Sequence, residues 1–363
     1  MATHQKFFSI RMKLFLCLAV IFSCNPVIRS QQNETSSADR DRGIQLYNQN
    51  DNKAAITALR AAIKNNKEDG ESWYYLGLAL IRLDDFKAAR KAFETAVRLR
   101  PLLAPVHTGL AYTLMATGRD EQARREASIA IDINSQDARA HYILGVIHLR
   151  MRQNLKARTE AELAIAQSPG LAPAHLLKCQ ALLALEGDES VRFSKIVRVG
   201  SDEPASEEER AERAKHRQNT LELYAAAADA LQTYLKLAAS ERATAIWKSQ
   251  LETLRFFAGG GGQSISSVLF PAWEVTTRIR IMRKPEATYT GAARGSGIEG
   301  VVVLRAVFSS AGTVEHVLVL RSLPLGLTEK AIEAAKKIRF LPATKDGSFV
   351  SMVLELQYNF TLY

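Results

Sequence analysis

Apolar residues before residue 258 recur three and four positions apart, which is the spacing of amphipathic helices. The clearest stretch opens at Trp73 and closes at Pro101. Its apolar positions are Leu76, Gly77, Leu80, Ala89, Phe93 and Ala96. They predict two helices packed face to face, with Gly77 small enough for the second helix to come close. Proline disfavours helix in the residue before it, so Pro101 ends the second helix.

This helix pair repeats with a period of about 34 residues. The preceding unit has its matching positions at Gly43, Leu46, Ala55, Leu59 and Ala62. The following units have them at Leu110, Ala111, Leu114, Ala123, Ala127 and Ala130, and at Leu144, Gly145, Ala157, Ala161, Ala164 and Pro169. A weaker unit opens at Leu171 and then degenerates. One helix pair cannot bury its apolar face alone, so the units are expected to stack into a solenoid.

The Trp73 to Pro101 stretch resembles the tetratricopeptide repeat, with Leu80 in the place of its second aromatic residue. The resemblance implies an all-α solenoid that binds other proteins, and we place it, with its capping helices, over residues 41–257. Glu207 to Ala239 and Arg242 to Phe257 are the predicted cap, an independent bundle being the alternative. The charged, turn-rich segment 187–211 predicts a loop.

A four-glycine run at residues 259–262 cannot continue a helix, and it predicts a Gly-rich linker over residues 258–279. Beyond it the apolar period changes from 3.6 to 2, which marks a second domain over residues 280–363. Residues 300–308, 313–321 and 349–363 read as strands, and a helix is expected to begin with Thr328 as its cap. The sequence therefore predicts a small α+β domain, a three-stranded antiparallel sheet with a helix on one face.

This second domain resembles the C-terminal domain of the TonB family. The matching positions are Lys284, Pro285, Tyr289, Ala293, Arg294, Gly297, Ile298, Glu299, Gly300, Val301, Phe308, Gly312, Val317, Leu327, Ala331, Phe340, Pro342, Ala343, Asp346 and Gly347. The resemblance implies a periplasmic domain that binds an extended segment of an outer-membrane transporter by strand addition beside the last strand. The candidate edge residues are Val350, Met352, Leu354, Gln357, Asn359 and Phe360. The alternative is that the chain itself covers this edge.

A second candidate surface is the inner groove of the solenoid, which the first helix of each repeat should line. By register its residues are Tyr74, Leu78, Arg82, Thr108, Tyr112, Tyr142, Val146 and Arg150. Aromatic side chains beside arginines suit an extended peptide or an anionic group. A plain solvated face is the alternative.

The N-terminal segment has the pattern of an export signal. Residues 6–13 are basic, and the apolar run 14–22 is too short to span a bilayer, so we expect a cleaved signal peptide over residues 1–30. Lipidation at Cys24, with membrane association through the N-terminus, is the alternative. Residues 31–40 are polar and are predicted to form a disordered lead-in. These features predict a periplasmic protein.

Composition narrows the chemistry. The formal net charge is +10, but the basic residues are not massed in one block, so no nucleic-acid partner is expected. No cofactor site is expected, because the Gly295-to-Gly300 motif precedes a strand instead of opening a helix. His107, His141 and His175 share the slot of Trp73, too far apart for zinc, so no metal site is expected. No nucleophile, base or metal set converges, so the chain is not expected to be an enzyme.

The sequence thus predicts an exported envelope scaffold that binds proteins or peptides. The solenoid would recruit one partner, and the C-terminal domain would bind an extended segment of another. In the TonB family this segment belongs to an outer-membrane transporter. The alternative is an inner-membrane-anchored, TonB-like energy-transducing component of transport across the outer membrane. Against it, the apolar run lacks the histidine of the family's motor contact, and helical repeats stand where a Pro-rich rod is usual.

Overall fold

The structure, a computed structural model, describes residues 35–196, 206–238, 241–259, 269–270, 274–295 and 297–362. The predicted signal peptide and most of the predicted linker lie outside these residues. The chain divides into two compact units, Met1–Leu144 and Gly145–Tyr363, each of which is described by itself. Within the described ranges, no helix is both long enough and apolar enough to cross a membrane.

The first unit is built of antiparallel helix pairs. Its helices are α1 (35–48), α2 (Asn52–Asn65), α3 (Gly70–Ile81), α4 (Phe86–Leu99), α5 (Ala104–Ala116), α6 (Asp120–Ile133) and the start of α7 (Ala138–Arg150). Aspartates begin three of them, because Asp51, Asp69 and Asp85 accept hydrogen bonds from main-chain N–H groups of the first turn. The prediction of disorder before residue 41 is wrong for residues 35–40. They are helical, and the buried Ser36 donates to the carbonyl of Ala62.

Phe93 is the centre of packing in the first unit. Its fully buried ring lies against Gly77 of α3 and Gly109 of α5. A Cβ atom at Gly77 would come within 2.7 Å of the ring, so glycine is needed for the helices to approach this closely. The close approach predicted at Gly77 is confirmed, and Gly109 provides its counterpart on the next repeat.

The second unit begins with the end of α7 and continues in long helices. They are α8 (Asn154–Gln167), α9 (Ala172–Ile196), α10 (Glu207–Leu237) and α11 (Glu241–Phe257). The loop predicted over residues 187–211 is wrong where it is described. Residues 187–196 extend α9 and residues 207–211 begin α10, where Ser206 caps the helix and acidic residues occupy the first turn.

The C-terminal part of this unit contains a three-stranded antiparallel sheet with order β3–β2–β7 and two short ribbons. The strands are β1 (Arg280–Arg283), β2 (Gly300–Phe308), β3 (Val314–Arg321), β4 (Arg339–Leu341), β5 (Ala343–Lys345), β6 (Ser348–Val350) and β7 (Met352–Phe360), with helices α12 (Gly291–Gly295) and α13 (Leu327–Ala335). The ribbons are β1–β4 and β5–β6. The three-stranded sheet with a helix on one face is confirmed.

Two details of this domain differ from prediction. The last apolar stretch is not one strand, because β6 pairs back on β5 and places Val350 opposite Ala343 instead of on the β7 edge. Thr328 does not cap α13, because Gly326 occupies that position with a left-handed backbone. The Thr328 hydroxyl instead bonds the main-chain N–H and carbonyl of Leu323, which fixes the turn before the helix.

One face of the sheet is buried, and the other is buried along β2 and the middle of β3 but exposed at Glu355, Gln357 and Asn359 of β7. One face forms a core with α13, whose buried members include Val302, Leu304, Phe308, Ala331, Ala335, Leu356 and Phe360. The other face packs on α9, α10 and α11, in a cluster that includes Cys179, Leu182, Tyr224, Leu231, Leu254, Val307 and Leu318. The alternation predicted along the last strand is confirmed from Glu355 to Phe360, but the glycine run also predicts a domain separated from the helices by a linker. The structure instead gives the sheet and the last helices one shared core.

Candidate protein-interaction surfaces

The outer edge of β7 is a candidate docking site for an extended segment. β7 pairs with β2 on one side, from Gly300 opposite Phe360 to Phe308 opposite Met352. On the other side the carbonyl of Gln357 accepts a hydrogen bond from Nζ of Lys284 at 2.8 Å. N–H and C=O of one residue point the same way in an antiparallel strand, so Gln357 and Asn359 present main-chain groups outward.

Only the beginning of this edge is covered by main chain among the described residues. The N–H of Phe270 donates to the carbonyl of Ser351 at 2.9 Å, and Leu269 forms a parallel bridge with Ser351. Lys284 covers the carbonyl of Gln357 with a side chain alone, and its ammonium also lies 4.8 Å from the centre of the Tyr358 ring. An extended segment could pair here after displacing one side chain.

The predicted edge residues divide into two groups. The side chains of Met352 and Phe360 are buried and that of Leu354 is half-buried, so they anchor the strand to the core. Gln357 and Asn359 are exposed. Leu354 pairs with Ala306 of β2 within the sheet.

The opposite edge of the sheet, along β3, is closed at its middle by a side chain from α11. Gln250 is buried, and its Nε2 donates to the carbonyl of Val317 at 3.0 Å while its Oε1 accepts from the N–H of Val319 at 2.6 Å. The amide therefore makes the two bonds that a neighbouring strand would make. Sequence reasoning missed Gln250, because one polar residue in an amphipathic helix gives no sign of a partner 67 positions away.

A buried ionic cluster joins the sheet to the helices. Arg305 of β2 is 6% exposed, and its guanidinium bonds Glu186 of α9 and the hydroxyl of Tyr224 of α10. Its second terminal nitrogen donates to Glu355 of β7 at 3.0 Å. Burial raises the pKa of the Tyr224 hydroxyl. The cation of Arg305 opposes this shift and the carboxylate of Glu186 adds to it, so the phenol stays neutral and takes part in hydrogen bonds as a hydroxyl.

The predicted groove residues of the first unit are largely engaged in packing. Tyr74 is half-buried, with its ring 5.3 Å from Tyr75 and 6.1 Å from Phe93. Arg82 lies 3.8 Å above the ring of Tyr47 and donates to that residue's carbonyl. These contacts hold the groove residues against their own repeat and the preceding one.

The remaining groove residues differ in exposure. Thr108 is buried, and its hydroxyl donates to Asp137 at 2.6 Å, so it does not line an open surface as predicted. Leu78, Tyr112 and Tyr142 are half-buried. In the second unit, Val146 is half-buried and Arg150 is exposed.

The histidines that share the slot of Trp73 have a structural role. The ring nitrogen of Trp73 donates to the carbonyl of Lys67 at 2.9 Å. His107, His141 and His175 place Nε2 2.9–3.1 Å from the carbonyls of Pro101, Ser135 and Pro169, each six residues earlier. The slot therefore fastens each inter-repeat loop to the helix that follows it.

Family models identify both parts of the chain. The model described as tetratricopeptide repeat matches residues 40–104 and, in a second form, residues 80–147. The model described as Gram-negative bacterial TonB protein C-terminal matches residues 285–362. The chain therefore carries tetratricopeptide repeats followed by a TonB C-terminal domain, as the sequence predicts.

Individual proteins are similar to parts of this chain. The cell division cycle protein 27 homolog of Caenorhabditis elegans is 28% identical over 116 residues, which are 32% of this chain and 15% of that protein. PilF of Pseudomonas aeruginosa is 14% identical, with a TM-score of 0.45 over 63% of this chain and 89% of that chain. A structure of the MamA protein is 24% identical, with a TM-score of 0.39 over 45% of this chain and 89% of that one.

Proposed function

We propose that this chain, which carries tetratricopeptide repeats and a TonB C-terminal domain, is a protein-binding scaffold of the Gram-negative cell envelope. The repeats recruit a protein partner. The C-terminal domain binds an extended segment of a second protein by addition to β7, an outer-membrane transporter being the partner that fits this domain family.

The asymmetry of the two sheet edges carries this proposal. The β3 edge has two main-chain groups at its middle, the carbonyl of Val317 and the N–H of Val319, satisfied by the buried amide of Gln250. The β7 edge presents the carbonyl of Gln357 to one exposed lysine side chain. A sheet edge with unpaired main-chain groups accepts another strand, and main-chain bonds provide the affinity.

Crosslinking at residue 357 tests this function. A photo-crosslinking amino acid at Gln357, introduced into the full chain in cells, is expected to capture an envelope protein through an extended segment, and mass spectrometry identifies that segment. Gln357 carries its main-chain groups on the outward side, so Gln357→Pro removes an outward N–H and leaves the bonds to β2 intact.

Gln357→Ala is the matched control, because it keeps the main chain and removes only the side chain. In a pull-down of the partner identified by crosslinking, Gln357→Ala should retain binding and Gln357→Pro should lose it. Equal binding by the two variants would show that the partner does not add a strand to β7, and strand addition would be rejected.

The recruiting role of the repeats has a separate test. Tyr74→Ala removes a half-buried ring from the predicted groove and should weaken recovery of the partner of the repeats, and Tyr142→Ala should do the same. Leu102→Ala, at a strongly exposed side chain, is the control. Unchanged recovery with both tyrosine variants would exclude the groove as the binding surface.

Export is a further part of the proposal, and it rests on the basic and apolar pattern of residues 6–22. Intact-mass analysis of the protein from cells should show loss of residues 1–30. A retained segment would instead favour the membrane-anchored, energy-transducing alternative, and a lipid mass on Cys24 would favour anchoring by acylation.

A further inference from the structure

The β1–β4 ribbon gathers two separate basic stretches of the sequence on one surface. Arg280 pairs with Leu341, and Arg283 pairs with Arg339. The register of β1 shifts at Met282, between Ile281 and Arg283. Directly paired residues of an antiparallel ribbon lie on the same face. The three arginines therefore share one face with Leu341, opposite to the face that buries Phe340 in the domain core.

The cations of this face have no ion pair within the described part of the chain. Arg280, Arg283 and Arg339 are exposed, as is Lys336 at the end of α13. The stretches 278–284 and 336–339 contain no aspartate or glutamate. Lys337 is a different case, since its charge acts on Glu333 and helps to lower the pKa of that carboxyl, after the larger effect of Lys330.

Large aliphatic side chains stand exposed among these charges. Met282, at the register shift of β1, is 59% exposed, and Leu341, which precedes Pro342, is 51% exposed. Ile281 is also exposed, but it pairs with Phe340 and lies on the other face of the ribbon. Apolar side chains of this size on an otherwise charged strand pair indicate a surface that meets another molecule.

We propose that the outer face of the β1–β4 ribbon binds the surface of an anionic phospholipid bilayer. The arginines pair with headgroup phosphates, for which the planar guanidinium is well suited, while Met282 and Leu341 enter the boundary between headgroups and acyl chains. Basic residues close to an anionic membrane each strengthen binding about fivefold, so the three arginines together are sufficient for a measurable effect.

The chemistry of the ribbon favours a bilayer over other polyanions. A single-stranded nucleic acid is held by aromatic side chains on which its bases stack, and the exposed side chains between these arginines are aliphatic. Arginine clusters also recognise acidic peptides, but an acidic peptide has no use for the large apolar side chains exposed beside these arginines, whereas a bilayer does. A flat array of cations and aliphatic side chains matches the layered charge and apolar depth of a membrane.

Vesicle sedimentation tests the proposal with the full chain. Wild-type protein should bind phosphatidylglycerol-containing vesicles more tightly than pure phosphatidylcholine vesicles, and added salt should weaken this binding. The triple variant Arg280→Gln, Arg283→Gln and Arg339→Gln should reduce the affinity for anionic vesicles at least about tenfold. The matched control, Arg60→Gln, Lys91→Gln and Arg98→Gln, removes the same charge from exposed positions of the first unit and should bind like wild type.

A label on the ribbon gives an independent readout. The N-terminal segment is also basic and apolar and is present in every variant, so only a label on the ribbon reports a contact made by the ribbon itself. An environment-sensitive fluorophore at Met282→Cys, in a chain with the other cysteines replaced by serine, should shift to shorter wavelength on anionic vesicles. Equal affinity of the two triple variants together with an unshifted label would overturn the proposal. Tighter, arginine-dependent binding of an oligonucleotide or polyglutamate than of vesicles would also overturn it.

Discussion

Nζ of Lys284 donates to the main-chain oxygen of Gln357 across 2.8 Å, and this side-chain bond takes the place of a strand on the β7 edge. Lys284 follows β1 directly and belongs to the Lys-Pro pair that resembles the TonB family. An exposed lysine is a common device for discouraging unwanted pairing at a sheet edge. Any segment that adds to β7 must first displace this ammonium group.

Removing that ammonium should favour strand addition. Lys284→Met keeps an aliphatic side chain over Tyr358 and frees the carbonyl of Gln357. Crosslinking of an extended partner from residue 357 should rise about two- to tenfold, the range that a hydrogen bond of about 0.5–1.5 kcal/mol implies. Lys87→Met, at an exposed position of α4, is the control. A lower yield with Lys284→Met would mean that Lys284 contributes to binding instead of opposing it.

Breaking the Arg305 cluster should weaken the packing of the sheet on the helices. Arg305→Met leaves the carboxylate of Glu186 buried without its cation, and the expected cost is about 3–5 kcal/mol of unfolding free energy in urea denaturation. Arg90→Gln, which breaks an exposed pair with Glu94, should cost less than about 1 kcal/mol. Adding Glu186→Leu to Arg305→Met should recover most of the loss, because no buried carboxylate then remains at that position. Equal midpoints for Arg305→Met and Arg90→Gln would contradict this role.

The Gln250 amide should be essential to the β3 edge. Gln250→Leu keeps the volume but leaves the carbonyl of Val317 and the N–H of Val319 unpaired. At about 1–3 kcal/mol for each of the two buried groups, the expected loss of stability is about 2–6 kcal/mol, with faster hydrogen exchange along β3. Gln218→Leu, on the exposed surface of α10, should change neither measurement. Unchanged exchange at β3 in Gln250→Leu would show that water replaces the amide.

Gly109 should not tolerate a methyl group. A Cβ atom there would overlap the ring of Phe93, so Gly109→Ala is expected to lower the unfolding free energy by about 1–3 kcal/mol. Adding Phe93→Leu should relieve part of the overlap, and this coupling is measured by a double-mutant cycle. Gly170→Ala is the control, since nothing lies within 4 Å of the position of its Cβ. Additive effects of Gly109→Ala and Phe93→Leu would rule out direct overlap as the cause.

Cys179 should report the opening of the shared core. Burial raises the pKa of its thiol to about 12 from a usual 9.0, so the native thiol is neutral and unreactive at pH 8. In a chain with Cys17 and Cys24 replaced by serine, labelling should require unfolding and should accelerate in Arg305→Met. The pKa is higher in the folded than in the unfolded chain. The contribution of this thiol to the unfolding free energy is therefore fully present below about pH 9 and is lost progressively as the pH rises toward 12. Rapid labelling of the native protein would contradict its burial.

Much of the helical fold can be predicted from periodicity, because the spacing of small and apolar residues around Phe93 in one helix pair recurs in the neighbouring pairs. The docking of the sheet does not follow from periodicity. Arg305 occupies an outward position of β2, where alternation predicts solvent, and its partners Glu186 and Tyr224 lie 119 and 81 residues away. The β1–β4 ribbon was missed for a different reason, since strands of three and four residues are too short to show an alternation.

The slot shared by Trp73, His107, His141 and His175 also limits how such a chain can vary. Each ring reaches back to a carbonyl six residues earlier, so an insertion or deletion inside that interval would move the acceptor out of reach. A copy or loss of a whole 34-residue unit leaves every ring at the correct distance from its own carbonyl. Related chains should therefore differ in how many units they contain, while the spacing inside each unit stays constant.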